Sequence, residues 1–300
     1  MGAMTAVAET REPARAEVWV ATVTPFRPDG ELDTAGLASL FVRLRGAGVD
    51  GVFVNGTTGE FVAMDDDERA TTVAAALEVF GSDRVIAHVG AADARHAARL
   101  AGRAADLGAQ RLAAITPYYL PSGPRGLHGY YESLCAAVPG AEVFVYLFEQ
   151  RTGRVVSPDE FAELATIPGV VGAKVSGQSA DRVLDYAAAA PAALVYAGND
   201  RAFAEVVTGG GAGVVSGTAG VFPLPWVRMA QALRSGEAAA VAAAQVAIDR
   251  ASDVFAAGDL AHLKAALAEF GLPTGPVRVA LDGPDDVARQ RIRAAVDLLN

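Results

Sequence analysis

The sequence predicts an α/β protein with the architecture of a closed (β/α)8 TIM barrel, followed by an appended C-terminal helical region. Three observations predict this fold. Eight short apolar runs recur along the chain, a helical pattern follows each of them, and no low-complexity linker divides the array. Strands that alternate with helices pair in parallel through crossover connections. Eight such units fit a closed barrel better than an open doubly wound sheet.

The eight predicted strands are short and apolar, as expected for parallel strands that are covered on both faces. They occupy residues 18–23, 51–55, 84–89, 111–116, 142–147, 170–175, 193–197 and 213–216. The stretches between them are rich in alanine, which favours helix, and they are amphipathic. Helices are therefore predicted over residues 34–45, 66–80, 94–107, 127–138, 158–166, 181–189 and 202–208.

The barrel is predicted to occupy residues 17–224, between two segments of different character. Residues 1–16 alternate alanine with charged residues and contain no apolar block, so they are interpreted as a flexible N-terminal tail and not as a signal peptide. Residues 225–300 have helical patterns, with a break at residues 271–276. These C-terminal helices are predicted to pack on the wall of the barrel.

The composition excludes several classes of partner and cofactor. A formal net charge of −10 with no basic cluster argues against nucleic acid and anionic membranes. No apolar run approaches the ~20 residues that a membrane span needs. The single cysteine, Cys135, excludes an intrachain disulfide, and a cytoplasmic location is expected. The histidines and this cysteine lack ligand spacing, and no strand is followed by Gly-x-Gly-x-x-Gly, so neither a metal nor a nicotinamide or flavin cofactor is predicted.

Lys174 is the residue that points most directly to chemistry. It ends the apolar run of the sixth predicted strand, and lysine is almost never fully buried unless paired or used. Burial disfavours the charged form of an amine and frees the lone pair that attacks a ketone. Gly172 shares its face of the strand and is expected to leave space beneath the amine. The alternative is a lysine whose side chain extends into solvent.

A turn rich in glycine and threonine follows the second predicted strand. In residues 56–60, Gly56 and Gly59 allow a sharp turn, while Thr57 and Thr58 add hydroxyl donors to the backbone amides. Such an array suits a small carboxylate. The alternative is a tight turn that leads into the next helix, whose acidic first turn begins near Asp65.

Other candidate residues lie where predicted strands end, which is where (β/α)8 barrels place their active sites. Tyr146 ends the fifth strand and is a candidate proton carrier. Arg151, in the loop that follows, has a geometry that fits a substrate carboxylate. His88 either lines the pocket or is a buried core imidazole, and the second interpretation is favoured. Glu60 is either a buried acid or a partner of the next helix start.

These residues resemble, in order and spacing, the dihydrodipicolinate synthase / N-acetylneuraminate lyase family. The resemblance runs over nearly the whole chain from about Val18. The segments that carry it are Gly56-Thr57-Thr58-Gly59-Glu60, Thr116-Pro117-Tyr118-Tyr119, Tyr146, Arg151-Thr152-Gly153 and Gly172-Ala173-Lys174. The resemblance implies a (β/α)8 barrel in which Lys174 forms a covalent imine with pyruvate and no further cofactor is needed.

The resemblance also implies roles for individual residues and an assembly. Thr58 and neighbouring amides, including that of Gly56, would hold the pyruvate carboxylate. Tyr146 would be the acid–base group, relayed through Thr57 to Tyr119, which in synthase-type members reaches in from a neighbouring subunit. Arg151 matches the arginine that binds the carboxylate of the second substrate. Gly198 and Val215, at the ends of the seventh and eighth strands, are assigned as further pocket positions. A homodimer or homotetramer is expected.

The chain departs from the family pattern at several positions. The family commonly follows its tyrosine with Asn-x-Pro, whereas Leu147, Phe148 and Glu149 stand here. Val175 follows the lysine where synthases often have an acidic residue. Residues 86–90 look more like sialic acid lyases, yet those usually carry serine in place of Thr57.

The expected activity is that of a Schiff-base-forming, pyruvate-dependent lyase or aldolase. Arg151 and the paired tyrosines favour condensation of pyruvate with aspartate semialdehyde, as in 4-hydroxy-tetrahydrodipicolinate synthase. Alternatives are a 2-keto-3-deoxy-sugar-acid or N-acetylneuraminate aldolase and, from another class, a non-catalytic keto-acid-binding barrel, which the replaced Asn-x-Pro segment supports.

Overall fold

The computed structural model describes residues 15–255, 259–272 and 274–299 of the chain. Its eight strands form a closed barrel in sequence order, and every pairing is parallel. The predicted fold class is confirmed, and each predicted strand lies within two residues of an observed one. The strands are β1 (Glu17–Ala21), β2 (Gly51–Val54), β3 (Val85–His88), β4 (Arg111–Ile115), β5 (Glu142–Leu147), β6 (Val170–Val175), β7 (Leu194–Ala197) and β8 (Gly213–Ser216).

Helices follow the strands and form the outer layer of the barrel. They are α1 (Thr34–Ala47), α2 (Asp66–Phe80), α3 (Ala94–Asp106), α4 (Pro124–Ala137), α5 (Glu149–Thr152), α6 (Pro158–Leu164), α7 (Ala180–Ala189), α8 (Phe203–Thr208) and α9 (Pro223–Ser235). The acidic start of α2 is a capping box, as its sequence predicted: Asp65 accepts from the amide of Glu68, whose carboxylate accepts from the amide of Asp65.

The short helix α5 was not predicted, because residues 150–153 were interpreted as a loop. The amides of Arg151 and Thr152 both donate to the carbonyl of Phe148, which winds the chain into a single turn. Gly153, with a φ of +66°, ends it. A helix of four residues is too short to show a hydrophobic period, so the sequence had no signal for it.

Side chains alternate along each strand between two apolar clusters. The larger cluster fills the layer between strands and helices, and a smaller one fills the barrel interior. At the amino-terminal end of the strands, Glu17 accepts from the hydroxyl of Tyr196 at 2.6 Å and from Nε1 of Trp19 at 2.9 Å. That end is therefore filled with side chains, and the strands' carboxyl ends carry the candidate site.

The C-terminal region continues from α9 with α10 (Ala238–Val254), α11 (Leu260–Glu269) and α12 (Asp286–Leu299). The predicted break at residues 271–276 lies in a longer connection between α11 and α12. That connection crosses the loop after β1: the amide of Phe26 donates to the carbonyl of Thr274 at 3.2 Å. A Cβ atom on Gly275, whose φ is +61°, would lie 1.6 Å from the carbonyl oxygen of Phe26, so only glycine permits this approach.

The predicted N-terminal tail falls largely outside the described residues, which begin at Arg15. Ala16, at the end of the predicted tail, is buried, and its carbonyl accepts from Arg234 on α9. Within the described ranges, none of the helices is both long and apolar enough to cross a membrane.

Candidate active site

Lys174 lies at the carboxyl end of β6 with its side chain inside the barrel. The residue is only 5% exposed. Its Nζ lies 4.3 Å from the ring centroid of Tyr146, its register partner on β5, and 4.5 Å from that of Phe53. Aromatic faces enclose the amine, so it does not extend into bulk solvent as a surface lysine does.

Gly172 faces the barrel interior below Lys174, as its spacing predicted. A Cβ atom there would lie 2.1 Å from the carbonyl oxygen of Leu194 on β7 and 3.0 Å from the ring of Phe144. The first contact of a larger residue would thus be with the backbone of the neighbouring strand. The glycine therefore permits close pairing of β6 and β7.

The hydroxyls of Tyr146 and Thr57 face each other next to the lysine. Their oxygens are 3.2 Å apart, and either can donate. Edge-to-face contacts fix the tyrosine ring, with centroid distances of 5.8 Å to Phe53 and 5.9 Å to His88. The structure therefore brings Lys174, Tyr146 and Thr57 together, which was the central prediction for proton transfer.

The turn at residues 56–60 is sharply bent and internally bonded. The amide of Gly59 donates to the carbonyl of Gly56 at 3.0 Å, and the hydroxyl of Thr24 donates to the carbonyl of Gly59 at 2.7 Å. Asn55, which precedes the turn, and Glu60, which ends it, have φ values of +57° and +59°. Such values are uncommon for residues other than glycine and mark a backbone that its surroundings hold in place.

Three amides of this turn remain available to a ligand. Those of Gly56, Thr57 and Thr58 donate to no acceptor within the described part of the chain. Thr58 also faces the loop after β8, since a Cβ atom on Gly217 would lie 3.4 Å from its Oγ1. Consecutive free amides with adjacent hydroxyls form a concave set of donors that suits a carboxylate.

Glu60 is the buried acid of the two alternatives that its sequence position left open. Its side chain is fully buried, and Oε1 lies 2.8 Å from Nζ of Lys264 on α11. The start of α2 is capped by Asp65 and Glu68 instead. Sequence reasoning did not foresee the lysine partner, because the two residues lie in distant parts of the chain.

Of the positions predicted at the ends of β7 and β8, Gly198 directly follows β7 and Val215 lies near the end of β8. The amide of Gly198 donates to the carbonyl of Val175 at 2.7 Å, and a Cβ atom on it would lie 2.2 Å from Oγ of Ser176. Val215 is buried in the interior cluster. Ser176 follows Lys174 by two residues and was not singled out, although the strand period places both on one face.

Two predicted residues do not join this group within one chain. Arg151 is exposed on α5, with its guanidinium carbon 5.6 Å from the ring centroid of Phe148. Tyr119 is 92% exposed and has a left-handed φ of +76°. Its neighbour Tyr118 turns inward, 5.7 Å from the ring of Phe61, and burial raises the pKa of Tyr118. Tyr119 therefore lies mostly in solvent and is not packed into the site of its own chain.

His88 is the buried core imidazole that its strand position predicted. Its Nε2 accepts from the amide of Ile115 at 3.1 Å. Burial, together with the nearby guanidinium of Arg69, holds the pKa of His88 well below its usual value. Arg69 is buried on α2, donates to the carbonyls of His88 and Gly90, and has a pKa lowered to about 10 by burial. This arginine was not predicted as part of the site.

Asp200 is a further acid close to the lysine. Its carboxylate accepts from Nε1 of Trp226 at 3.0 Å. Burial raises its pKa, while hydrogen bonds from Ser216, Thr218 and Trp226 and the charge of Lys174 act in the opposite direction. The sequence placed Asp200 in the loop after the seventh strand but assigned it no role, because the indole that holds it comes from α9.

The fold and this group of residues define a class of protein: a (β/α)8 barrel lyase of the class I aldolase type, with a buried lysine at the mouth of the barrel. The chain belongs to the dihydrodipicolinate synthetase family, whose model matches residues 14–298. The family resemblance deduced from the sequence is thereby confirmed.

Individual members of this family are similar to the chain over nearly its whole length. The 4-hydroxy-tetrahydrodipicolinate synthase of Methylococcus capsulatus is 32% identical over 280 residues, which cover 92% of this chain and 96% of the relative. Sialic acid aldolase of Ruminococcus gnavus has a structure with a TM-score of 0.88 at 25% identity, covering 95% of this chain and 97% of its own. YagE of E. coli, a prophage protein of the dihydrodipicolinic acid synthase family solved in complex with pyruvate, has a TM-score of 0.87 at 26% identity, with coverage of 95% and 98%.

Proposed function

We propose that this chain is a 4-hydroxy-tetrahydrodipicolinate synthase, which condenses pyruvate with aspartate semialdehyde through an imine on Lys174. The observation that carries the proposal is the enclosed amine of Lys174, 4.3 Å from the centre of the Tyr146 ring, whose hydroxyl contacts Thr57. The name of the Methylococcus capsulatus relative supports the choice of reaction. The pyruvate complex of YagE supports the choice of 2-oxo acid.

In the first half of the proposed reaction, the free amides of Thr57 and Thr58 bind the pyruvate carboxylate. The amine of Lys174 attacks the ketone carbon and passes a proton to the ketone oxygen, and a carbinolamine forms. The Tyr146 hydroxyl delivers a proton to the departing oxygen, which leaves as water, and the imine forms. No cofactor is required, because the protonated imine itself accepts the electrons of the next step.

In the second half, the Tyr146 oxygen, which has given up its proton, takes a proton from the pyruvate methyl group, and the imine becomes an enamine. The enamine carbon attacks the aldehyde carbon and forms the new carbon–carbon bond, while Tyr146 returns the proton to the aldehyde oxygen. The acyclic adduct leaves Lys174 either by hydrolysis or by attack of its own amine on the imine carbon, and each route restores the lysine. Arg151, exposed on the rim beside Phe148, is proposed to bind the carboxylate of the aldehyde.

The proposal includes a homodimer or homotetramer in the cytoplasm. Tyr119 supports the assembly, since a 92% exposed tyrosine with a left-handed backbone is not packed into its own site and is available to a second chain. It would complete the proton relay through Thr57 of that partner. Analytical ultracentrifugation tests the assembly. A mixture of Tyr119→Phe and Lys174→Ala chains that regains activity would support exchange of the tyrosine between chains.

A second candidate is a 2-keto-3-deoxy-sugar-acid or N-acetylneuraminate aldolase. The similarity to Ruminococcus gnavus sialic acid aldolase favours it, as do residues 86–90, which look more like those of sialic acid lyases. These enzymes share the imine and enamine steps but differ in the aldehyde. A panel with pyruvate and aspartate semialdehyde, N-acetylmannosamine or glyceraldehyde separates the candidates by which aldehyde drives pyruvate consumption.

Reduction with borohydride in the presence of pyruvate tests the shared chemistry. The expected result is a reduced pyruvate adduct on the peptide that contains Lys174, detected by mass spectrometry, and its absence from the Lys174→Ala variant. A wild-type protein that binds pyruvate but remains unmodified would instead be a non-catalytic keto-acid-binding barrel. Turnover by the alanine variant would refute the mechanism.

A further inference from the structure

The carboxyl end of the barrel contains a second buried lysine that the proposed mechanism does not use. Lys264 of α11 has a side chain that is 3% exposed, and the Glu60 carboxylate beside it is fully buried. Their charged atoms lie 2.8 Å apart. Loss of one partner from a pair buried this deeply leaves an uncompensated charge, which strongly perturbs the surrounding structure.

Contacts with two loops hold the ammonium group of Lys264 in place. Its Nζ donates to the carbonyl of Pro276 at 2.8 Å and lies 4.4 Å from the ring centroid of Phe26. Its own carbonyl accepts from the hydroxyl of Thr274 at 2.9 Å. The connection between α11 and α12 and the loop after β1 therefore fix the position of the charge.

The same connection binds the other oxygen of Glu60. Its Oε2 accepts from the amide of Arg278 at 2.7 Å and from that of Val279 at 3.0 Å. Glu60 has a left-handed φ of +59° and is the last residue of the turn that presents the amides of Thr57 and Thr58. The C-terminal region thus holds the closing residue of the turn by both of its carboxylate oxygens.

We propose that Lys264 is a positioning residue, which acts through Glu60 to aim the amides of Thr57 and Thr58 at the carboxylate of the 2-oxo acid. This inference rests on the proposed function, because it assigns the turn to the pyruvate carboxylate. Lys264 touches no substrate. Its contribution is the orientation of two donors, and a misplacement of about 1 Å in such a group costs roughly 10²-fold in activity.

A neighbouring ion pair provides a matched control. The side chain of Arg278 pairs with Glu68 of α2, and both side chains are partly exposed, at 20% and 16%. This pair ties the same C-terminal connection to the barrel, but its carboxylate belongs to α2 and not to the turn. The Glu68→Gln variant therefore weakens the same attachment without removing the partner of Glu60.

The experiment measures borohydride trapping of pyruvate on Lys174 across a range of pyruvate concentrations. It compares the full-length wild-type chain with Lys264→Met, Glu60→Gln, the double variant and Glu68→Gln, and a thermal melt accompanies each. For Lys264→Met, the half-saturating pyruvate concentration is expected to rise about tenfold or more, because the turn is displaced. The limiting trapping rate is expected to fall by a smaller factor, because Lys174 and Tyr146 stay in place and only the Thr57 hydroxyl moves with the turn.

The two remaining variants test whether the ion pair positions the turn or only stabilises the fold. The double variant removes both charges and is expected to recover most of the pyruvate affinity that Lys264→Met loses. Glu68→Gln is expected to lower the melting temperature without a change in half-saturation. Equal half-saturation in Lys264→Met and the wild type would overturn the inference, as would an equal rise in Glu68→Gln.

The failures of the two proposals are distinguishable. A wild-type chain that no pyruvate concentration modifies refutes the proposed function, and this inference with it. A wild-type chain that is modified, with variants of unchanged half-saturation, overturns this inference alone. If Lys264→Met does not fold, Glu60→Gln carries the test, since it leaves Lys264 unpaired while keeping an acceptor for the amides of Arg278 and Val279.

Discussion

The substitution Tyr146→Phe separates the chemical role of the hydroxyl from its role in packing. Phenylalanine retains the ring contacts with Phe53, His88 and Phe148 and the ring face near the Lys174 amine. The substitution removes only the oxygen and its hydrogen bond to a threonine hydroxyl. Because the ring fits the same space, the fold is expected to remain intact.

The magnitude of each effect follows from what is removed. The contact with Thr57 is long, at 3.2 Å, and a hydrogen bond of this kind contributes about 0.5–1.5 kcal/mol to folding. For a chain of this size, such a loss lowers the melting temperature by only a few degrees, roughly 2–4 °C. A positioned acid–base group contributes roughly 10²–10⁴-fold to rate, or about 3–5 kcal/mol of activation free energy.

The assay pairs a thermal melt with the steady-state rate of pyruvate consumption. The expected result for Tyr146→Phe is a nearly unchanged melting temperature and a kcat lower by at least about a hundredfold. Pyruvate should still form a trapped adduct, but more slowly. Thr57→Val provides the control, because it removes the hydrogen-bond partner and leaves the phenol in place. A Tyr146→Phe enzyme with a kcat within about threefold of the wild type would refute the assignment of Tyr146 as the proton carrier.

Two further predictions concern pH and packing. Burial holds the pKa of His88 in the folded chain well below 6.5. As the pH falls, the unfolded chain therefore takes up the proton first. The free energy of unfolding then decreases by up to about 1.4 kcal/mol per pH unit below about pH 6.5. The His88→Gln variant keeps an acceptor for the amide of Ile115 but has no imidazole to titrate. Its free energy of unfolding, measured by urea titration at pH 7 and pH 5, should fall less at the lower pH than that of the wild type. An unchanged pH dependence would contradict the prediction. Gly198→Ala places a Cβ atom 2.2 Å from Oγ of Ser176 and should lower kcat/KM by roughly 10²-fold through displacement of the strand end that carries Lys174. Wild-type kinetics in this variant would show that the loop absorbs the methyl group.

The predictions from sequence succeeded where the physical cause is local. A strand covered on both faces must be apolar along its whole length, so the run around Ala173 was readable as β6 without knowledge of its neighbours. The acidic start of α2 was readable for the same reason, since a helix end satisfies its own amides with nearby side chains such as that of Asp65. The place of Lys174 in an apolar strand favoured its burial, but the structure was needed to exclude a side chain that extends into solvent.

The sequence did not predict the role of a residue where that role depends on a contact between distant segments of the chain. The period of a strand or helix gives the face on which a side chain lies, but not what it meets there. The sequence therefore left Glu60 between two interpretations, and no pattern connected it with Lys264 or with the amides that follow Pro276. Asp200 likewise lacked a role until the indole of Trp226 was placed against it.

The amino-acid pattern alone thus specifies a parallel barrel with a lysine at the carboxyl end of β6, because strand and helix periodicity are properties of short segments. The arrangement of the donors around that amine is a property of the closed fold. The register of β5 and β6 places Tyr146 against Lys174, and the C-terminal region holds Glu60 and with it the turn that carries Thr57. Barrel closure and the return of the chain across its mouth bring these groups within a few ångströms, and no local preference encodes that proximity.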